Sequence, residues 1–525
     1  MNTLSKVLLA AALTTVASSC NSFLDINTNP NQATAVTPNQ LLANALTVTA
    51  ANYVNYNSYA NFAGGYWGKS NAVSGFNEAR TYLYTSSYQQ ILWTGAYDNL
   101  QDYRLIRTNA QAASYPNHAA IARIMEAYNF LLLVDEYGDI PYTDALKGSD
   151  NTTPKFDKAA DIYKDLIVQL KGAVSDINAA TTAAKPTTED VVFGGNMTRW
   201  KRFANSLRLR ILLRESSTTD ATLNAYVKTE MTDLQSAPDG FITTDVVVQP
   251  SYAANSGQQN PFYNTYGFAV GTTNPTSNYR FILPTNFLLN LYKNNNDPRI
   301  TQEYVSIDPN SSVYRGTDLG EPAPPSPPSS PAAATDGSTF LIGGTYLRSA
   351  SQSTPIMLLS EVLFSKAEAE SRGLLTGDAK TDFQNGIRSA FQTTYRGGTD
   401  APATVAPTTQ SEAYLTANAG NGLVDWDATT TPTTNQYGVL TSGRRSVSTL
   451  EKIITQKWLS EATIAGTEGW ADFRRTSLPP IPISREASTG QFPTRLLYPQ
   501  VEINTNGANI PTGITQYTRI FWDPA

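Results

Sequence analysis

The segment that decides the fold is AAIARIMEAYNFLLLVDEYGDIPY, residues 119–142. Apolar side chains recur in it at intervals of three and four residues: Ile121, Ile124, Met125, Tyr128, Leu131 and Leu132. Polar residues fall on the opposite face: Arg123, Glu126 and Asn129. This spacing predicts a helix with one apolar face, because a helix turns once every 3.6 residues. Gly138 and Pro141 are predicted to end it, since glycine tolerates left-handed backbone and proline has no amide hydrogen.

Three later regions repeat this helical period. Residues about 157–214 contain DKAADIYKDLIVQL, which Asp157 is predicted to cap, and WKRFANSLRLRILLR. Residues about 355–393 contain PIMLLSEVLFSKAEAESRG, and residues about 446–476 contain STLEKIITQKWLSEATIAGTEGWADFRR. Together with residues about 41–136 they form four helix pairs, similar in size to tetratricopeptide units that bury one face on a neighbour. The predicted fold class is therefore mainly α.

Side chains within these helices are predicted to be structural. Trp200 and Trp458 lie on apolar stripes, which indicates core packing. Arg202, Arg208 and Arg210 lie off the Trp200 stripe. Three carboxylates and two arginines near the C-terminal end are interpreted as ion pairs between helices rather than as catalytic groups: Glu461, Glu468, Asp472, Arg474 and Arg475.

Residues about 235–350 have a different character. They are rich in Asn, Gly, Pro, Ser, Thr and Tyr, and only TNFLLNLYKNN has a helical pattern. The short apolar pieces FITTDVVV and FLIGGTYL predict a few short strands. PAPPSPPSSPAAATDGS, residues 322–338, is predicted to be an exposed loop. This stretch is interpreted as an insertion within a single domain that spans 41–525.

The N-terminus has the layout of a lipoprotein signal peptide over residues 1–19. Lys6 precedes a short apolar run, and small residues stand directly before Cys20, the only cysteine. The apolar run is far shorter than the roughly 20 residues of a spanning helix. Cleavage before Cys20 would let that thiol carry lipid, and buried CH₂ groups contribute about 0.8 kcal/mol each. Residues 20–40 are predicted to be an extended tether.

Composition excludes several classes of function. With Cys20 carrying lipid, no thiol is left for a disulfide or a cysteine nucleophile. His118 is the only histidine, which argues against a serine–histidine triad or a multi-histidine metal site. The net charge of −6 without a basic run argues against nucleic-acid binding. No phosphate loop or metal-ligand spacing occurs, so neither a cofactor nor a metal is expected.

Seven blocks in chain order resemble the SusD/RagB family of outer-membrane lipoproteins. They are ARIMEAYNFLLLVDEYGDIPYTDAL (122–146), WKRFANSLRLRILLR (200–214), NDPRI (296–300), LLSEVLFSKAEAESRG (358–373), WLSEATIAGTEGWADFRRTSLP (458–479), RLLYPQVEINTN (495–506) and TRIFWDP (518–524). The segments NTNPN and YPxxEINTN are typical of its SusD-like branch. The resemblance implies four tetratricopeptide-like helix pairs around an irregular ligand-binding region, and no catalysis. It also implies capture of nutrients, usually oligosaccharides and sometimes peptides, for a SusC-like TonB-dependent transporter.

Aromatic residues in loops are the candidate ligand contacts. The apolar face of a sugar ring can lie on an aromatic ring while nearby Asn or Arg groups bind the hydroxyls. NFAGGYWGKSNAVSGFNEARTY, residues 61–82, supplies Tyr66, Trp67, Asn71, Phe76 and Tyr82. Trp67 and Asn71 approximately match glycan-contacting residues of the starch-binding prototype. The alternative, that Trp67 packs against the first helix pair, is equally open.

A second stretch lies in the insertion, in a region that the resemblance assigns to the binding platform. QQNPFYNTYGFAVGTTNPTSNYRFILP, residues 258–284, supplies Tyr263, Tyr266, Tyr279 and Arg280. Tyr314, Arg315 and Trp426 are further loop candidates.

The favoured function is a non-enzymatic, lipid-anchored nutrient-binding protein, on the outer leaflet of the outer membrane, that captures oligosaccharide. A peptide-binding member of the same family stays open as an alternative. A glycosidase and a purely structural helical-repeat subunit of the transporter complex are the other two. The anchor would be the only membrane contact.

Overall fold

The computed structural model describes residues 37–109, 112–272, 274–308, 310–329, 333, 335–396 and 407–524. The predicted signal peptide, Cys20 and residues 20–36 of the predicted tether lie outside the described residues. The tether prediction extends too far at its C-terminal end, because the first helix already begins at Pro38. Proline suits this position, since the first turn of a helix leaves its amide hydrogens without partners.

Helices dominate the described residues, which confirms the predicted fold class. They are α1 (Pro38–Ala63), α2 (Asn77–Thr81), α3 (Gln90–Thr108), α4 (Pro116–Tyr137), α5 (Ala159–Ala179), α6 (Met197–Glu215), α7 (Ala221–Gln235), α8 (Pro261–Tyr266), α9 (Ser277–Phe281), α10 (Asn286–Asn294), α11 (Ile300–Glu303), α12 (Leu359–Ser371), α13 (Ala379–Thr394), α14 (Pro407–Ala417), α15 (Thr449–Glu461), α16 (Gly466–Thr476) and α17 (Gln500–Asn506). Consecutive helices pack on one another from α3 to α6, and α12 packs on α13. Helix α16 returns to pack on α1, so the C-terminal pair closes against the N-terminal one.

The strands are short and pair in twos. They are β1 (Trp67–Lys69), β2 (Ile140–Pro141), β3 (Phe156–Asp157), β4 (Val246–Val248), β5 (Ile282–Pro284), β6 (Thr354–Met357), β7 (Thr430–Thr434) and β8 (Leu440–Ser446). The pairs are β1–β5, β2–β3, β4–β6 and β7–β8, all antiparallel. FITTDVVV supplies β4 as predicted, whereas FLIGGTYL forms isolated bridges rather than a strand. The insertion also holds the short helices α8, α9 and α11, which the sequence pattern did not predict.

Helix α4 ends where the sequence predicts, but it has no solvent-facing side. Gly138 has a φ of +70°, a backbone conformation that favours glycine, and Nη1 of Arg495 packs 2.9 Å from where a Cβ would lie. Glu126 and Asn129, predicted on the outer face, are buried. Glu126 pairs with Arg104 at 3.1 Å, and Asn129 donates to the Met125 carbonyl at 2.9 Å. The helix is central because α1, α3, α5 and α6 all pack on it.

The N-terminus of α5 is capped by a different residue from the one predicted. Asp157 accepts from the amides of Tyr142 and Thr143 at 3.0 and 2.9 Å. Asp139 instead accepts from the amide of Ala159, at 2.9 Å, and so satisfies the first turn of α5. The predicted cap, Asp157, is the acidic residue nearest to α5 in sequence. The pairing of β2 with β3 instead brings Asp139 to the first turn of α5.

Trp200 and Trp458 are fully buried, as predicted, but Arg208 and Arg210 are buried as well. Arg210 binds both carboxylate oxygens of Glu361 at 2.8 Å. Its Nη1 lies 3.2 Å from Glu468. Arg210 therefore connects α6 to α12 and α16 inside the protein, whereas Arg208 pairs with Glu230 and Asp233 of α7.

The acidic residues near the C-terminal end form the ion pairs that the sequence predicts. Lys457 lies 2.8 Å from Asp472, and Arg475 binds Asp472 at 2.9 Å. Burial opposes ionisation of Asp472, but these two cations outweigh it and lower the pKa of that carboxyl. Glu461 lies 3.9 Å from Lys457 and is also buried. Because these carboxylates are enclosed by helices, they do not face a substrate.

Candidate functional site

The two aromatic loop stretches meet in the structure. Strands β1 and β5 pair so that Trp67 lies opposite Pro284. Beyond the strand, Ser70 donates through its amide to the Phe281 carbonyl at 2.8 Å, and through Oγ to the Arg280 carbonyl at 2.6 Å. The early loop and the insertion, about 200 residues apart in sequence, thus form one continuous region of the fold.

Trp67 lies at the centre of this region and has no exposed surface. Its ring centroid lies 5.1 Å from that of Tyr266 and 5.8 Å from those of Phe62 and Phe340. Its Nε1 donates to Oγ1 of Thr463 at 3.0 Å. An enclosed indole has no free face for a sugar, so we correct its assignment from ligand contact to packing, the alternative left open by the sequence.

Five of the predicted tyrosines are also enclosed: Tyr66, Tyr82, Tyr266, Tyr279 and Tyr314. Tyr66 stacks on Trp458 at 4.3 Å and donates to its carbonyl at 3.0 Å. Tyr266 donates to Oγ of Ser58 at 2.9 Å. Burial raises the pKa of Tyr66 well above its ordinary value and that of Tyr266 to about 12, the latter opposed by the bond to Ser58. The hydroxyls of Tyr66 and Tyr266 are therefore neutral and hydrogen-bond to residues beneath the two loops.

The other predicted residues of the two stretches keep some access to solvent. Phe76 is half-buried and lies 4.8 Å from the ring of Phe62. Tyr263 is half-buried as well, whereas Asn71 and Arg280 are exposed. We call Asn71, Phe76, Tyr263, Phe268 and Arg280 the loop surface.

Two hydrogen bonds that Asn71 donates hold this part of the loop surface in place. The backbone amide of Asn71 donates to the Pro325 carbonyl at 3.0 Å, and its side-chain Nδ2 donates to Oγ of Ser326 at 2.9 Å. Its side-chain oxygen remains available to accept a hydrogen bond, and the exposed guanidinium of Arg280 can donate. Half-open rings and polar groups are the two kinds of side chain that can bind the face and the hydroxyls of a sugar.

The last two candidates lie in different places. Arg315 is half-buried, and its Nη1 donates to the Asp336 carbonyl at 3.4 Å. Asp336 forms a β-bridge with Ser326, whose hydroxyl Asn71 contacts. Arg315 therefore adjoins the loop that Asn71 contacts. Trp426 packs 5.4 Å from Phe383 of α13, in a separate cluster, and is not part of the loop surface.

One residue of the loop surface and two residues that bond to the rings beneath it were not predicted from the sequence. Phe268 is half-buried and lies 6.2 Å from Tyr263 and 6.4 Å from Tyr279. Its position within the second aromatic stretch was a usable signal. Thr463, which binds Trp67, and Ser58, which binds Tyr266, carry no local signal because they lie about 400 and 200 residues away in sequence.

The described part of the chain contains no group of three or more His, Cys, Asp or Glu residues placed to hold a metal ion. Among the same residues no helix has both the length and the apolar character needed to cross a membrane. What the loop surface can do is bind a polar ligand with an apolar face.

Comparison with known proteins bears on the family and the fold of the chain. The model of a family named SusD-like, described as "Starch-binding associating with outer membrane", matches residues 30–499. No curated protein matches the chain.

Several solved structures share the fold. A chitin-binding SusD homolog from Flavobacterium johnsoniae is 20% identical, with 92% of this chain and 99% of that chain covered and a TM-score of 0.69. A SusD homolog from Bacteroides uniformis is 21% identical over 92% and 99% of the two chains, with a TM-score of 0.67. A Bacteroidetes SusD-like protein, AC2a, is 22% identical over 93% and 100%, with a TM-score of 0.70.

Proposed function

The chain belongs to the SusD-like family, and from that premise we propose that it captures oligosaccharide at the cell surface and passes it to a SusC-like TonB-dependent transporter. The family and its solved relatives are binding proteins, so this protein is a binding protein and not an enzyme. The family is associated with the outer membrane. The ligand, the binding residues, the anchor and the transporter are our proposals.

The observation that carries the proposal is the loop surface. Phe76 and Tyr263 each offer a partly open ring, and the exposed Asn71 and Arg280 offer hydrogen-bonding groups on the same two loops, which β1 and β5 join. A sugar presents C–H groups on one face and hydroxyls at its edge, which this combination can bind together. Burying the C–H face against a ring contributes about 25 cal/mol for each Å² of apolar surface removed from water.

We favour oligosaccharide over peptide as the ligand. Arg280 is the one charged residue of the loop surface, whereas a peptide with free termini would need charged partners at both ends. A solved relative of the same fold is described as chitin-binding, and chitin is a polysaccharide. Affinity needs to be only moderate, because the ligand must leave toward the transporter.

Lipid on Cys20 would tether the protein to the membrane. Residues 1–36 lie outside the described part of the chain, so this proposal rests on the signal-peptide layout and on the family. Several acyl chains on one residue would hold the protein firmly, since one chain alone binds only marginally. We propose that the anchor lies in the outer leaflet and that it lets the protein cover the transporter's mouth.

The ligand proposal is tested with an array of neutral oligosaccharides and peptides. We expect saturable binding to an oligosaccharide that falls about tenfold or more in the double variant Phe76→Ala/Tyr263→Ala, since two ring contacts are lost. Tyr226→Ala is the matched control, because Tyr226 is a half-buried tyrosine on α7, beside Lys164. Binding of peptides alone would favour the alternative, and unchanged affinity in the folded double variant would overturn the assigned surface.

Location and partner need separate experiments. Protease treatment of intact cells should degrade the protein if it lies on the outer leaflet and spare it if it faces the periplasm. Detergent extracts should contain it in a complex with a TonB-dependent barrel. Recovery as a single protein under mild extraction would argue against the partner.

A further inference from the structure

A second concave surface lies at the C-terminal end of α16. Its floor is formed by Trp470, Arg474 and Arg475, and its walls by the segments 491–494 and 517–524. Its volume is about 490 Å³. Ligand sites are typically about 300–1,000 Å³, so the space can accept more than one sugar ring. We call it the C-terminal cleft.

Aromatic rings line this cleft. Phe473 stacks on Trp470 with centroids 5.9 Å apart and an interplanar angle of 16°. Phe492 meets Phe473 nearly edge-on at 4.8 Å and 64°. Phe473, Phe492 and Tyr517 are all half-buried, so each keeps part of its ring accessible. Three partly open rings around one space resemble the loop surface in chemical character.

The charges on the cleft floor are already neutralised by the protein itself. Arg474 binds Glu136 at 3.1 Å and the Thr494 carbonyl at 3.0 Å. Arg475 binds Glu368 and Asp472 at 2.7 and 2.9 Å. An anionic ligand would gain little from guanidiniums whose charge is met by buried carboxylates.

The rim offers uncharged groups and one paired cation. Gln491 and Ser477 are exposed, and the Tyr517 hydroxyl accepts from Oγ1 of Thr489 at 2.7 Å. Arg519 is half-exposed and lies 3.5 Å from Asp523. Amide and hydroxyl groups next to open rings suit a neutral polar ligand with an apolar face.

We propose that the C-terminal cleft binds a neutral saccharide, as a site additional to the loop surface. The ligand class rests on the proposed function, whereas the location does not. Segment 76–82 connects the two regions, since the ring of Tyr82 lies 5.8 Å from that of Phe492. Two sites on one protein would hold a glycan chain at two points, and the second contact would form at high effective concentration.

The test uses the full chain, crystallised separately with maltotriose, cellotriose and chitotriose. We expect saccharide density in the C-terminal cleft with at least one trisaccharide, in contact with Phe473, Phe492 or Tyr517. Density on the loop surface with an empty cleft would overturn this inference and leave the proposed function intact. Density in neither place would overturn both, and density in the cleft alone would support the inference while contradicting the assigned loop surface.

Solution variants test the same site independently. Tyr517→Ala removes one ring and should weaken the affinity of the cleft about three- to tenfold. Gln491→Trp places a large side chain at the mouth and should block the site while the loop surface still binds. Tyr226→Ala is the matched control, and urea midpoints check that each variant is folded. Tighter binding of trigalacturonate than of the neutral trisaccharides would overturn the neutral ligand class. Unchanged saccharide affinity in both folded variants would overturn the cleft as a binding site.

Discussion

Replacing Trp67 with alanine should destabilise the protein without directly removing a ligand contact. The indole has no exposed surface and contacts the rings of Tyr266, Phe62 and Phe340. Its N–H is bonded to Thr463 at 3.0 Å. Trp67→Ala therefore leaves a cavity where the early loop, the insertion and the α15–α16 turn meet.

The magnitude follows from these contacts. An aromatic side chain buries about 150–250 Å². At about 25 cal/mol per Å², that burial corresponds to about 4–6 kcal/mol, of which the remaining Cβ retains a small part. Truncations of buried Trp or Phe to alanine cost about 3–5 kcal/mol. Loss of the hydrogen bond to Thr463 adds about 1 kcal/mol, so we expect a total of about 4–6 kcal/mol.

Equilibrium unfolding in urea measures this loss, and titration with the best oligosaccharide from the array measures affinity. Phe76→Ala is the matched comparison, because Phe76 is an aromatic residue of the same loop but is half-exposed. It should lower the free energy of unfolding by no more than about 2 kcal/mol and still weaken binding. Trp67→Phe should recover part of the lost stability, since it restores ring packing without the N–H.

Unchanged stability together with lost binding would contradict a packing role for Trp67. If Trp67→Ala unfolded at the wild-type urea concentration and bound oligosaccharide at least tenfold more weakly, the indole would be a ligand contact. Its enclosure in the structure would then not represent the binding conformation.

Three further predictions concern other parts of the molecule. Arg210→Met removes the cation that Glu361 binds inside the protein and should cost about 3–5 kcal/mol in urea unfolding, whereas a loss below about 1 kcal/mol would show that this buried pair is dispensable. Burial raises the pKa of Glu215 to about 8, opposed in part by Lys164, so the native state loses stability relative to the unfolded state as pH rises from about 4.5 to 8. Glu215→Gln should therefore unfold like wild type at pH 4 and be more stable at pH 8, by at most about 5 kcal/mol, and an equal difference at both pH values would contradict this assignment. Cys20→Ala should move the protein from the membrane to the soluble fraction on cell fractionation, and retention in the membrane would disprove the lipid anchor.

Helices could be predicted from sequence because their signal is local. The period of three and four residues in 119–139 and the stop at Gly138 lie within one segment, and α4 ends at Tyr137. The same holds for Trp200 and Trp458, whose stripes place them in the core. The spacing of apolar residues does not show which polar residues are buried beside them. Arg210 is buried because Glu361 meets it from 151 residues away, and no local pattern records that contact.

The candidate site was predicted at the level of loops but not of rings. Both aromatic stretches were identified, and the structure brings them together through β1 and β5. The assumption that loop aromatics are exposed failed for Tyr66 and Trp67. Their partners, Trp458 and Thr463, lie almost 400 residues later in the chain, so a sequence pattern could not separate them from half-exposed Phe76.

The central claim is that the loop surface binds oligosaccharide, and a calorimetric titration of wild type and Phe76→Ala/Tyr263→Ala protein tests it most directly. We expect a saturable heat of binding with a neutral oligosaccharide for wild type and for Tyr226→Ala. The folded double variant should bind the same oligosaccharide at least tenfold more weakly. Equal affinities for all three proteins would contradict it, as would the absence of any oligosaccharide that binds the wild type.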